Sequence, residues 1–432
     1  MSIASRFRSG VFWNVTAAVF NQGSTFAVAI VLARMMGRAR FGQFAVVLTT
    51  VQVSVLVFGL ALGYTATKYV AEFRASNPRR AARVLGFGAM LAGVTAVAAA
   101  AALAFGATVV AGLAFDRPGL ADFLRLGALV APWMVLSGYF TGALAGLEDY
   151  RSIGWAGVVG GTSYVIACVL MAAQWGIAGA IMGMGVSGAL QAGTLALLLH
   201  AAVRRLRLPS LRASFGSEWG LVRRFALPGA LGGLVTSGCS WLGTVILTRQ
   251  SNGVSEVASY LVSFNVAAIV LFLPGVANGV GMSLLNHMRG SSDAQRYWRV
   301  LWSNLWLTAL VAGGAAGILA LLAHPALALF GEQFSDASGV LRLLLLGTAL
   351  EATTMALYQV VQSNERMWHG VRTIVLPRDL ALPVAALALV PTYGALGLGL
   401  AYVISRGIGF ACALAIFLAH TNEVSLAGAP RS

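Results

Sequence analysis

Of the 432 residues only 10% are charged and 58% are hydrophobic, with a mean hydropathy of +0.81. A water-facing domain needs about 25% charged residues, and single soluble cores stop growing at about 250–300 residues, so the composition excludes a soluble globular protein and leaves a chain solvated by lipid. The net charge of +15 would point to nucleic acid in a soluble protein; on a membrane chain it reports which loops face the cytoplasm.

The basic segment Met1 to Gly10 leads into an apolar run without a small-residue cleavage site, which reads as a retained first helix. About 20 apolar residues cross the hydrocarbon. By that measure spans are predicted near 11–33, 41–66, 84–113, 119–146, 153–173, 176–200, 225–248, 257–286, 300–323, 338–362, 371–390 and 394–419. Asn77-Pro78, Arg117-Pro118-Gly119, Leu208-Pro209, Pro325 and Pro391 punctuate the joints; Gln174-Trp175-Gly176 alone separates two spans. Pro228 with Gly229, Gly232 and Gly233 opens the seventh span, and Pro274-Gly275 with Gly279-Val280-Gly281 interrupts the eighth, either as bending points or as close packing. Cys168, Cys239 and Cys412 lie inside apolar runs, without metal or disulfide spacing.

With the N-terminus inside, 20 of the 29 Lys and Arg fall on cytoplasmic segments, 5 on outer loops and 4 within spans. That bias places both termini in the cytoplasm. The longest connection, 200–224, sits at the midpoint and invites a search for duplication. Ile30–Arg34 lies opposite Val245–Arg249 at an offset of 215 residues, and Phe44, Gly59 and Gly63 lie opposite Tyr260, Gly275 and Gly279 at 216. Leu124-Arg125-Leu126 and Glu148 pair with Leu341-Arg342-Leu343 and Glu365 at 217; Gly176 and Gly179 pair with Gly394 and Gly397 at 218. A drift this regular is the mark of an internal repeat. The expected fold is all-α and polytopic, about twelve transmembrane helices in two pseudo-symmetric six-helix bundles: 1–200, a basic cytoplasmic linker 201–224, and 225–432. Six spans per half give both halves one orientation, the arrangement of carriers whose site lies between parallel repeats.

No Ser/His/Asp set, His-x-x-x-His spacing or phosphate loop is present, and His200, His287, His324, His369 and His420 are scattered at span ends. No catalytic residue, metal site or cofactor is expected. The chemistry left is ionisable groups inside spans, where a charge at mid-bilayer costs about 2.5–3.5 kcal/mol on insertion scales. Glu351 and Arg406 fall near mid-helix, and Arg378-Asp379 about two turns into theirs; each either lines a cavity or forms a buried ion pair. Arg125 and Arg342 lie near the outer ends of their spans, within reach of the headgroups or of a cavity. Gln22, Gln52 and Asn265, with Asn14, Thr16 and Asn278, supply neutral amides and hydroxyls suited to sugars or to interhelical bonds. Arg378 and Arg406, with Gln22, Gln52, Asn265, Arg125 and Arg342, are the candidate substrate contacts; Glu351 and Asp379 are the candidates for coupling to H+ or Na+.

Phe12-Trp13-Asn14, the run Ile30 to Gly37 and then Phe41-Gly42-Gln43-Phe44 resemble the opening of bacterial polysaccharide and O-antigen flippases. In that family an Ala-Arg-x-x-Gly turn and an aromatic-Gly pair join the first two helices. Gly142 to Leu147 before Tyr150-Arg151, and Trp175-Gly176-Ile177-Ala178-Gly179-Ala180, resemble the end of the family's fourth helix and the start of its sixth. The resemblance implies the multidrug/oligosaccharidyl-lipid/polysaccharide exporter fold, two six-helix bundles around a central, often cationic, cavity. It implies alternating-access transfer of an undecaprenyl-diphosphate-linked oligosaccharide from the cytoplasmic to the periplasmic leaflet, for O-antigen, capsule or exopolysaccharide. Membrane lipids and polysaccharide-assembly proteins are the implied partners. A cation-coupled multidrug antiporter of the same superfamily is the alternative, and a membrane polymerase or glycosyltransferase a third; the latter usually carries a sizeable periplasmic loop, which is missing here.

Overall fold

The computed structural model describes residues 3–209, 227–288, 294–363 and 367–427; within these, the side chains of 3–11, 14, 227–229, 273, 276–288, 294–298, 300, 360–363, 367 and 420–427 are not described. Most of the linker expected at 201–224 (residues 210–224), with Arg212, Arg223 and Arg224, and also Arg289, Glu365, Arg366 and Arg431, lie outside the described residues. So do the side chains of Arg6, Arg8, Asn14, Asn278, His287, Arg296 and His420.

Regular structure among the described residues is entirely helical. Three long helices turn at a single glycine: Gly37 (φ 72°, ψ 170°), Gly176 (φ 58°, ψ −130°) and Gly394 (φ 55°, ψ −129°). A left-handed φ costs an L-residue roughly 1–2 kcal/mol, which is why glycine stands at these corners. Counting those turns, the described helices make twelve passes. They are α1 (3–36), α2 (38–76), α3 (Pro78–Ala114), α4 (Pro118–Gly146), α5 (150–175) and α6 (177–205). Then follow α7 (Leu227–Thr248), α8 (Gly253–Met288), α9 (Ala294–Leu321), α10 (Ser338–Ser363), α11 (367–393) and α12 (395–427). All twelve expected spans correspond to these passes. Gly176 and Gly394, paired by the repeat, share one backbone geometry to within a few degrees.

The expected break at Pro274 is absent: α8 runs helical from Gly253 through Pro274 to Met288. An unexpected break lies in α2, where Leu60 (φ 47°) and Ala61 (φ 50°) interrupt the helix between Gly59 and Leu62.

The chain forms two compact units, Met1–Trp241 and Leu242–Ser432. In the first, Leu62, Val70, Leu85, Tyr139, Leu144 and Leu195 are core, and the Tyr139 hydroxyl donates to the Leu85 carbonyl at 2.6 Å. Helices approach through glycine: Gly157 of α5 faces Ala17 of α1, and Gly161 faces Ser24 and Phe20. Small residues let backbones approach in a lipid environment, where burial of apolar surface gives no net drive. In the second unit Leu301, Leu357, Ile374, Ala413 and Phe417 are core. Large apolar side chains point outward, Phe105 and Leu321 being 85% exposed, as a lipid-facing surface requires.

Candidate functional site

The second unit gathers four charged side chains from three helices. On α11 a π turn, Val371–Val375, precedes Pro377, and the Leu376 N–H reaches back to the Val371 carbonyl. Proline offers no N–H to the helix, and a local wide turn is a common remedy. Immediately beyond it stand Arg378 and Asp379. The Arg378 guanidinium holds Asp379 with two bonds, Nε to Oδ1 at 2.8 Å and Nη2 to Oδ2 at 2.9 Å. Such a bidentate fork is the strongest geometry this pair of groups offers.

Arg406 of α12 lies between the two acids. Its Nη1 donates to Asp379 Oδ1 at 3.1 Å, and its Nε sits 3.2 Å from Glu351 Oε2 of α10 as an ionic contact without hydrogen-bond alignment. The Tyr402 hydroxyl donates to the same Glu351 oxygen at 2.7 Å, and the Arg406 guanidinium stands 4.6 Å from the Tyr402 ring centre. Ser405 fixes the α11–α12 register by donating to the Arg378 carbonyl at 2.7 Å. Two glycines make room: Gly347 lies against the Tyr402 ring and Gly409 against the Arg378 stem.

Burial is uneven within the cluster. Asp379 is 2% and Arg406 6% exposed, whereas the side chains of Arg378 and Glu351 are 15% and 20% exposed. Two cations and two anions balance within the cluster, which is an ionic circuit linked in the order Arg378, Asp379, Arg406 and Glu351 rather than a basic patch. Removing one partner from such a circuit strands a charge and costs about 3–5 kcal/mol.

The repeat makes the circuit specific to one half. At offsets of 217 and 218, Glu351, Arg378, Asp379 and Arg406 correspond to Met134, Gly160, Gly161 and Gly188. In the first unit these glycines serve packing instead: Gly160 faces Gln191, Gly161 faces α1, and Gly188 faces Trp133.

The structure thus brings Glu351, Arg378, Asp379 and Arg406 together and leaves the other candidates apart from them. Arg125 is exposed and binds Asp122 at 2.7 Å and Thr108 of α3 at 2.9 Å; its repeat partner Arg342 is exposed and reaches the Ala320 carbonyl of α9 at 3.4 Å. Each arginine ties its helix to the preceding one. Gln22 is exposed on α1, Asn265 is half-buried on α8, and Gln52 of α2 lines a cavity in the first unit.

Three features escaped the sequence reading. Tyr402 was findable, because it sits one turn before Arg406 on the same helix face. The Asn304–Gln359 bond between α9 and α10, 3.0 Å long, has no sequence signal. Nor does Glu256, which accepts from the Ala395 N–H and so caps the start of α12 at the Gly394 turn.

Comparison with known proteins gives consistent matches. The family described as "Polysaccharide biosynthesis protein" matches residues 7–228. The EPS I polysaccharide export inner membrane protein EpsE of Ralstonia nicotianae is 25% identical over 408 residues, spanning 91% of this chain and 90% of that protein. The protein of the same name from Ralstonia solanacearum is 23% identical over 411 residues, with coverage of 91% and 90%. Among solved structures, an inward-facing multidrug resistance MATE family transporter of the MOP superfamily superposes with a TM-score of 0.78 at 15% identity, covering 92% of this chain and 95% of that one. The lipid II flippase MurJ in an inward closed conformation gives 0.74 at 13% identity, covering 94% and 87%. The two structures establish a shared fold. The match over half of its length, on that fold, places this chain in the polysaccharide biosynthesis protein family.

Proposed function

We infer that this protein is a flippase that carries a polyprenyl-diphosphate-linked oligosaccharide from the cytoplasmic to the periplasmic leaflet by alternating access, for surface polysaccharide assembly. The observation that carries this reading is a likeness along nine-tenths of the chain to proteins named for polysaccharide export, on a fold shared with a lipid II flippase. The excess of Lys and Arg on alternate loops supports cytoplasmic termini. The MATE likeness, at 15% identity, concerns the fold alone.

The four-charge circuit suggests how transport is coupled. With both acids ionised, the charges of Arg406 and Arg378 are matched within the cluster, so a further anion gains little there. Neutralising Glu351 or Asp379, by H+ or by a bound Na+, leaves one guanidinium charge unmatched, and a diphosphate can then take the acid's place. Arg378 and Glu351, the more exposed pair, are the first contacts for the headgroup and the cation; Arg406 joins the two acids into one switch. In a strain lacking its own exopolysaccharide flippase, the gene restores surface polysaccharide under this reading. Drug resistance without polysaccharide would overturn it.

A further inference from the structure

The break in α2 opens a second polar place, in the first unit and far in sequence from the charge circuit. Leu60 and Ala61 are left-handed although neither is glycine. Past the break, the second half of α2 is clamped to α4. Gly63 and Gly142 meet backbone to backbone, with no room for a side chain on either, and the Thr67 hydroxyl donates across to the Gly142 carbonyl at 2.9 Å. Between this clamp and the first half of α2 lies a cavity of about 530 Å³, within the 300–1,000 Å³ or so typical of ligand pockets.

Most of its wall is apolar, with Val55, Leu56, Met134 and Val135, and its polar groups are neutral: Gln52, Tyr64, Thr67, Ser137 and Thr141 contribute amide and hydroxyl groups, and no charged residue lines it. Ser137 Oγ is out of solvent reach and has no hydrogen-bond partner. Gln52, Tyr64 and Thr141 make no side-chain hydrogen bond among the described residues, and Tyr64 is 77% exposed. Buried polar groups in a protein are normally satisfied, so the unpartnered Ser137 hydroxyl is an exception, and Gln52, Tyr64 and Thr141, which are exposed or half-buried around the same cavity, leave their polar groups open to a ligand.

The repeat argues that the cavity is built rather than incidental. At offsets of 216 and 217, Gln52, Gly138, Thr141 and Gly142 correspond to Ala268, Met355, Tyr358 and Gln359. The second unit has replaced an amide by alanine and two glycines by long side chains, so each half carries a different polar feature.

We propose that this cavity is a carbohydrate subsite, holding neutral glycosyl units of the lipid-linked substrate; it rests on the flippase reading above. A diphosphate has no cation here to bind. A polyprenyl or acyl chain would match the apolar wall but leave the buried Ser137 hydroxyl unpaired. Sugar hydroxyls both donate and accept, matching the amide and hydroxyls, and the exposed Tyr64 ring offers a flat apolar face for a pyranose.

Gly138→Met tests this. A Cβ at Gly138, which lines the cavity, meets nothing within 4 Å, and Met stands at the equivalent position 355, so a long flexible side chain can start there and occupy the cavity. Ser137→Ala is the milder companion, removing one hydroxyl and no volume. The purified full-length chain is examined by native mass spectrometry with two probes: undecaprenyl diphosphate, and the oligosaccharide-bearing lipid extract of a flippase-deficient host. Gly138→Met is expected to lose at least about tenfold in affinity for the glycosylated lipid while keeping undecaprenyl diphosphate. Ser137→Ala is expected to lose about three- to tenfold, the effect of one neutral hydrogen bond. Equal retention of both probes by Gly138→Met overturns the subsite. Loss of both by a variant that melts like wild type overturns it in favour of a lipid-chain groove. Failure of the wild-type chain to bind either probe refutes the flippase reading itself, and the subsite with it.

Discussion

Arg406→Met removes the link between buried Asp379 and part-buried Glu351 and keeps most of the side-chain volume. Asp379 retains its bidentate bond to Arg378, so the damage concentrates on Glu351, which is left with the Tyr402 hydroxyl alone. The circuit passes from neutral to one excess negative charge. Stranding a buried charge costs about 3–5 kcal/mol; at roughly 2–4 °C per kcal/mol for a unit of this size, melting falls on the order of 10 °C. Adding Glu351→Gln restores the balance, because Arg378 and Asp379 still neutralise each other. The double variant should therefore recover all but about 1–2 kcal/mol, a coupling well above the scatter expected for independent sites. The readout is thermal melting of the purified chain in detergent, beside polysaccharide export in cells. Stability returns in the double variant while export does not, since both the switchable acid and its arginine are gone. If Arg406→Met melts within 2 °C or so of wild type, or if the double variant melts lower still, the circuit does not govern stability as the geometry requires. Restored export would reduce the cluster to a structural ion pair.

Other substitutions probe separate parts of the account. Tyr402→Phe deletes one hydrogen bond to a carboxylate and should cost about 1.5–3 kcal/mol, read as melting temperature. Gly142→Ala drives a methyl group into the Gly63 backbone and should cost about 1–3 kcal/mol, whereas Gly23→Ala, which meets open space on α1, should be neutral or stabilise by up to about 1 kcal/mol. Gly176→Ala and Gly394→Ala adopt the same left-handed φ, so each should cost at least about 1 kcal/mol. Gly394→Ala should cost more, because its methyl group also meets the Glu256 carboxylate, whereas Gly176 has open space. Equal melting of those two variants would contradict the capping role of Glu256.

Much of the architecture was legible because a membrane imposes a length on every apolar run. The spans, the glycine corners at Gly176 and Gly394, and the half-to-half correspondence all follow from spacing along the chain. The intramembrane charges were legible for a related reason: Glu351, Arg378, Asp379 and Arg406 are too costly in lipid to stand without a cavity or a partner, and the structure does bring them together. What spacing could not say is that they neutralise each other, since that depends on the relative rotation of α10, α11 and α12. Arg125 and Arg342 looked similar in sequence but are surface ties to α3 and α9, a difference set by depth and direction of the side chain. The break at Leu60–Ala61 was hidden because neither residue favours a left-handed backbone; the contact of Gly63 with Gly142 helps fix it. Pro274 misled in the other direction: buried inside α8, it leaves the helix continuous.

The most direct test of the central claim follows the sugar across a bilayer. Proteoliposomes holding the purified chain and a lipid-linked oligosaccharide are treated with a membrane-impermeant glycan oxidant, and the protected fraction is measured against time under an imposed pH or Na+ gradient. The account predicts that protein-containing vesicles lose protection at a rate set by the gradient, while vesicles with the Arg406→Met/Glu351→Gln variant keep it. Protection that decays equally with and without the protein would contradict the assignment of this chain as a flippase.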